Sequence, residues 1–475
     1  MQHVTRVAVW YLAAATIGLG ASAFHSPSPA DVVTAAHASM RDTVPDPTTA
    51  LAAAAITIDP ERMAAGDAAS LAAIGRAIGN AKVVMLGEPW HGDGGAIRAR
   101  AGLVRYLHEQ LGFDVLLFEA DFYSLGTGWV NARSTADVQQ LGRDNVYAFW
   151  SATKAAAPIW TYLAEQRNSA RPLDVGGFDI RHTGRLARTE LAAKLRPRLQ
   201  AADRAGVSVD TVAFLATLHH LLTEEREYEP SASERATFLA ALDRLALEWD
   251  RAGTSDDQFW AQEARSLSWA ARFAWARASR DRGMGDNFAW LATHRYAGRK
   301  IIVWAHNNHL IEDPRMYTES RDSLVAPGVA RMSPGTRDSL WYFGASVRKQ
   351  FGDDVFTIAT LSYSGTISPE IMTALRGYRD STSVPKYLAD FDSVATLAPT
   401  PPGSIEAALA KRGMCAGLVD LRPMRQSVEP VRARALTISP YGYLAMRYWV
   451  GYDAFLFLRQ TVGLSQPAAR CTTVP

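Results

Sequence analysis

The sequence is short of the residues and patterns that mark the commonest enzyme and binding classes. Only two of its 475 residues are cysteine, Cys415 and Cys471, too few for a thiol metal site or a Cys-x-x-Cys redox centre. Neither sign of charge dominates: Lys and Arg number 50 against 48 Asp and Glu, and a net +2 gives no field for nucleic acid or an anionic membrane. No Gly-x-Ser-x-Gly elbow is present; Gly344-Ala345-Ser346-Val347 begins like one, but Arg348 occupies the last position. His108-Glu109 lacks the second histidine of a zincin helix, and there is no P-loop. A serine nucleophile is therefore not the leading idea. Water activated by histidine or by a metal is.

What is present begins with an apolar start. Arg6, the run Val7–Leu19 broken only by Thr16 and Gly18, and then Ala21-Ser22-Ala23 have the layout of a secretory signal peptide. The run is too short to span a bilayer comfortably, and the alternative is an uncleaved anchor. The expectation is a signal peptide over 1–23 and an exported chain, periplasmic or secreted, with no stable membrane insertion after cleavage. Export would let Cys415 and Cys471 pair. Their distance in sequence equally permits one buried thiol and one in a loose tail.

Residues 24–60, rich in Ala, Pro, Ser, Thr and Asp, read as a flexible tether. Beyond it, helical spacing over Asp67–Ile78 stops at Gly79, and Val83–Leu86 is a short buried strand. Gly94–Leu111 is a second helix, ended by Gly112, and Val115–Phe118 a second apolar strand, which makes a βαβ unit with parallel strands. Leu173–Phe178, Ile301–Ala305, Val355–Thr360, Gly417–Asp420 and Ala454–Leu458 extend the sheet, and a late helix is expected over Ser404–Lys411. The block 183–283 is rich in Ala, Leu, Arg and Glu, with helical periodicity and almost no strand signal. The fold class expected is α/β: a mainly parallel central sheet flanked by helices, with a helical insertion over the carboxyl-end rim. The catalytic core then comprises 61–182 and 284–463, the insertion 183–283, and a tail 464–475; an independent helical domain is the alternative for the block.

Polar residues fall where chemistry could gather. Glu88 follows the first strand, Glu119 and Asp179 end the next two, and His306 ends the fourth. In open parallel sheets ligands bind outside the carboxyl ends of the strands. Strands also end in polar residues for turn chemistry alone, so the set of four matters more than any one. Leu86-Gly87-Glu88-Pro89-Trp90-His91-Gly92 sets an acid and an imidazole between two glycines, which permit positive φ or close backbone approach. Histidine can act as a general base, oriented by a nearby carboxylate. Val303-Trp304-Ala305-His306-Asn307-Asn308-His309 places two histidines in one turn, a pattern that also suits a metal. Arg100, on the helix after the first motif, could hold a substrate oxygen or a site carboxylate, or lie solvated on the surface like its neighbours Arg98 and Arg105.

These residues resemble the erythromycin esterase family. Gly87-Glu88 with His91-Gly92 looks like its Gly-Glu-x-x-His-Gly motif, and Arg100, Leu111-Gly112-Phe113 and Glu119 follow in its order. Gly177-Phe178-Asp179, Arg280-Asp281 with Met284 and Asn287, His306-Asn307-Asn308-His309 and Tyr452-Asp453-Ala454 resemble later elements, so the likeness spans about 65–460. Trp90 departs from the pattern, standing where a small residue such as Thr is frequent. The resemblance implies an α/β hydrolase with no serine nucleophile, in a family whose characterised members open macrolide lactones. His91 would then activate water, Glu88 and Glu119 orient it or relay protons, and His306 or His309 complete the site. Arg100, Trp90 and Asp179 are the substrate-binding candidates.

Three readings stay open. The leading one is a metal-independent esterase acting on a small-molecule ester, with no cofactor. The second is a metal-dependent hydrolase with Glu88, His91, Glu119 and His306 as ligands. The third is an exported binding protein whose pocket is lined by Trp90, Trp129, Trp150, Trp160, Trp304 and Trp341. Substrate identity and oligomeric state are not legible.

Overall fold

The computed structural model describes residues 46–223, 228–320, 341–369, 391–434 and 442–471. The expected signal peptide lies outside the described residues, as does the tether up to residue 45. From Asp46 onward the expected tether is structured. Asp46 caps a helix, Pro47–Ala54, and Ile56–Ile58 pairs with a later strand. The Pro and Asp read as linker composition are here a helix cap and its first turn.

Among the described residues the strands in chain order are β1 (Ile56–Ile58), β2 (Val83–Glu88), β3 (Val115–Asp121), β4 (Asp174–Asp179), β5 (Ile301–His306), β6 (Val355–Ile367), β7 (Ala395–Leu397), β8 (Ala416–Asp420), β9 (Val431–Arg434), β10 (Tyr443–Met446) and β11 (Ala454–Thr461). The main sheet runs β1-β8-β11-β6-β2-β5-β3-β4, with β7 paired to the end of β6; β9 and β10 form a separate antiparallel pair. From β11 to β4 every pairing is parallel, while β8 and β1 are antiparallel at the far edge. Every expected strand is present. β1, β7, β9 and β10 were not expected, being too short to show a period.

Alternate residues of the central strands face two apolar layers. Val84, Leu86, Leu116, Phe118, Ile302 and Trp304 pack with residues of helices Ala68–Ile78, Gly94–Leu111 and Ala157–Gln166. Met85, Leu117, Val303 and Phe457 pack on the other side with residues of helices Arg280–Trp290, Phe343–Phe351 and Ile405–Lys411. Burial on both faces is why these strands read as continuous apolar runs. Asp93 caps Gly94–Leu111 through the Ala96 N–H, and Gly112 closes it in the left-handed region at φ 71°.

The helical block has an apolar core of its own, built on helices Ala192–Arg204, Thr211–Thr223, Ala232–Ala252 and Ser255–Ala276. Phe259 stacks on Phe122, and His182 just after β4 pairs with Glu263, which anchors the block near the carboxyl ends of β3 and β4. The tail is tied down as well. Leu464 is buried, and Cys415 and Cys471 form a disulfide with their Cα atoms 5.7 Å apart.

Candidate active site

Strand order brings the candidate residues together. β5 lies between β2 and β3, so Glu88, His306, Glu119 and Asp179 follow one another along one rim; Glu119 does not end its strand as expected, since β3 runs two residues further to Asp121. Glu88 and His306 are the last register pair of β2 and β5. The glycines of the first motif serve close approach, since neither is among the residues with positive φ. A Cβ on Gly87 would meet Asn307 Oδ1 at 2.1 Å, and one on Gly92 would meet the Ser368 carbonyl at 1.9 Å.

The first half of the site centres on Glu88, which is fully buried. Its carboxylate accepts from Arg100 and from the Trp150 indole N–H at 2.9 and 3.0 Å, and lies 2.6 Å from His91 Nδ1. A carboxylate surrounded by donors can only accept, so His91 carries its proton on Nδ1. In the neutral ring Nε2 is then the lone-pair nitrogen, on a side chain that is 22% exposed. Phe149 stacks on that ring, 4.3 Å between centroids and 13° between planes.

His306 stands next, 5.1 Å from the His91 ring. Its Nδ1 accepts from the Asn308 N–H at 3.1 Å, and its Nε2 lies 3.2 Å from the Pro89 carbonyl, to which it donates. Both nitrogens are thus committed to backbone in the neutral form. Burial, together with His91 and His309, holds its imidazolium well below the usual range.

The other half is a charged network. Glu119 accepts from the His306 N–H (3.0 Å) and from Arg280 (2.9 Å), and His309 Nε2 lies 3.3 Å from it. Arg280 also grips Asp179, with Nε 2.9 Å from Oδ1. His309 Nδ1 is 2.5 Å from Asp281. Burial alone would lower the His309 pKa, but Asp281 and Glu119 outweigh it and raise it to about 10. His309 is therefore an imidazolium at neutral pH. Burial likewise works against Glu119, yet His309 and Arg280 hold its carboxyl well below the usual range.

The substrate-binding candidates take other places. Arg100 is 0% exposed. Besides Glu88 it donates to the Leu86 and Ala305 carbonyls at 3.3 and 3.2 Å and lies 3.9 Å from the Trp304 ring centroid. Burial draws its pKa down to about 10 against the pull of Glu88, so it stays charged at neutral pH. It holds the site carboxylate Glu88 from the buried face of its helix. Asp179 is also 0% exposed and is spent on Arg280. Trp90 is half-buried and its N–H is bonded to the Ser368 carbonyl at 3.1 Å. Trp129, Trp160 and Trp304 are buried packing residues, and Trp150, equally buried, gives its N–H to Glu88, so none of the four is a ready pocket lining.

Phe149, Trp150, Arg280 and Asp281 complete the site; the sequence had offered Trp150 only as lining for a binding pocket, and the other three not as site residues. Arg280-Asp281 carried a signal through the family element; the pair Phe149-Trp150 carried none beyond aromatic content. As for a metal, the oxygens of Glu88 and Glu119 and both nitrogens of His306 already face protein donors or acceptors. Only His91 Nε2 is open, so the expected ligand set does not fit a metal as arranged.

Comparison with known proteins bears on the family and the fold. Residues 108–461 match the family described as erythromycin esterase, a span that starts downstream of Glu88 and His91. The chain is 24% identical over 370 residues to YbfO of Bacillus subtilis (strain 168), which carries a hydrolase name, covering 71% of this chain and 74% of that one. A crystal structure of a Bacillus cereus protein matches with TM-score 0.63 at 15% identity, over 89% of this chain and 100% of that one. A succinoglycan biosynthesis protein matches at 0.60 and 16%, over 88% and 97%. A variant of the erythromycin esterase EreC, in its open conformation, matches at 0.59 and 16%, over 87% and 99%. The family match, the shared fold and a sheet rim carrying Glu88, His306 and Glu119 lead to one conclusion: the chain belongs to the erythromycin esterase family and is a hydrolase of the esterase type.

Proposed function

We propose that the chain is an exported, metal-independent esterase that adds water to a cyclic or bulky ester, with His91 as general base. A macrolide lactone is the first substrate to test, on the strength of the family. The observation that carries the mechanism is the 2.6 Å Glu88–His91 contact, which leaves Nε2 as the open basic atom of the site. Water attacks the carbonyl carbon as its proton passes to Nε2. The tetrahedral oxyanion forms near the cationic His309 and Arg280, whose charge offsets it. Collapse breaks the C–O bond, and the leaving alkoxide takes the proton back from His91.

The test is hydrolysis of a macrolide panel by the purified protein, read by mass spectrometry as one added water, with and without chelator. His91→Ala should lose about 10²-fold or more in kcat. Hydrolysis near the wild-type rate in that variant would sink the base assignment. Loss of activity on chelation would sink the metal-independent step.

A further inference from the structure

The short helix Ala148–Ser151 has no part in the chemistry above, yet with Tyr147 before it, it reaches both halves of the site. Trp150 is fully buried and its single indole N–H is shared between the two oxygens of Glu88. Phe149 covers the His91 ring in a near-parallel stack, and Tyr147 stacks on Phe149 in turn, 5.4 Å between centroids and 7° between planes. The Tyr147 hydroxyl lies 3.4 Å from Asp179 Oδ2, and the Trp150 carbonyl accepts from the Trp160 N–H at 2.7 Å. The helix is thus fixed at both ends.

A histidine base needs two things held at once: the ring plane and the nitrogen that carries the proton. Glu88 sets the proton on Nδ1 only while its carboxylate keeps one orientation, and the terminal torsion of a glutamate is broad. Arg100 fixes one oxygen. Trp150 spans both, so rotation of the carboxylate would break its shared hydrogen bond. Phe149 supplies the plane, since offset stacking favours one ring orientation.

We infer that Phe149 and Trp150 are positioning residues: they hold His91 in the Nδ1–H tautomer with Nε2 bare. The inference rests on His91 being the base. Two variants of the full chain test it, Trp150→Phe, which keeps an aromatic ring without the N–H, and Phe149→Leu, which removes the stack; Phe149→Tyr is the conservative control. The readouts are erythromycin hydrolysis and the ¹⁵N chemical shifts of the His91 ring.

The expected result is a kcat lower by about tenfold in Trp150→Phe and Phe149→Leu with KM within about twofold, and recovery in Phe149→Tyr. The ¹⁵N spectrum should show Nδ1–H in the wild type and a mixture of tautomers in Trp150→Phe. A wild-type His91 protonated on Nε2 overturns the inference whether or not the variants fold. So does a lower kcat with the tautomer unchanged, which would be a merely structural loss. Full activity in His91→Ala would instead remove the base assignment on which the inference stands, a failure that the tautomer signal does not share.

Discussion

Replacing Arg100 by methionine keeps much of the stem volume and removes the guanidinium bonded to Glu88. The structure makes this a severe change. Arg100 and Glu88 are both 0% exposed, and water does not reach either to replace the lost partner. Glu88 would keep the Trp150 and His91 contacts but bear a buried charge with no cation bonded to it. Removing one member of a buried ion pair costs about 3–5 kcal/mol. The cation–π contact over Trp304 goes with the same atoms, and the two losses are not additive. Arg100→Met is therefore expected to lower stability by about 3–5 kcal/mol, read from denaturant unfolding followed by tryptophan fluorescence. Adding Glu88→Gln removes the stranded charge. The double variant should then be more stable than the sum of the single losses by about 1–3 kcal/mol. A loss under about 1 kcal/mol in Arg100→Met, or single losses that add within about 0.5 kcal/mol, would refute the reading of Arg100 as the clamp of Glu88.

Three further outcomes are expected. His309 titrates near 10 in the fold against about 6.5 unfolded, so its contribution is complete below about 6.5 and is lost as pH rises through about 10. Wild-type stability should thus fall more steeply between pH 7 and 10 than that of His309→Gln, and parallel denaturation midpoints across that window would contradict it. Gly92→Ala forces a Cβ to within 1.9 Å of the Ser368 carbonyl, so the loop must shift, with about 1–3 kcal/mol of stability lost alongside activity; a variant indistinguishable from wild type would show that the loop yields freely. Cys415→Ser opens a cross-link between residues 56 apart, worth about 4 kcal/mol by loop-closure entropy. Calorimetry and a thiol count on the wild type check that value, and free thiols in the untreated protein would contradict the bridge.

Much of the site was legible because burial and turn geometry leave marks on local sequence. A strand buried on both faces must be apolar throughout, so Val83–Leu86, Val115–Phe118 and Ile301–Ala305 announce themselves, and the first polar residue after each falls at or within two residues of the strand end. Gly87 and Gly92 stand where another backbone or side chain comes too close for a Cβ, which a residue-level reading can suspect without knowing the neighbour. The short strands β1, β7, β9 and β10 were invisible because three or four residues cannot display a period.

Tertiary structure alone decided how these pieces meet. β5 arrives far later in the chain than β2 and β3 yet inserts between them, and only that order sets His306 beside Glu88. Arg98, Arg100 and Arg105 share one helix, and its packing face, not its composition, buries Arg100 completely. The two late histidines show the limit most plainly. His306 and His309 are the same residue type in one turn, but the first has a backbone donor and a backbone acceptor at its nitrogens, while the second lies between Asp281 and Glu119. A neutral ring and a cation result, because a histidine's charge is set by the groups that surround it, and those come from elsewhere in the chain.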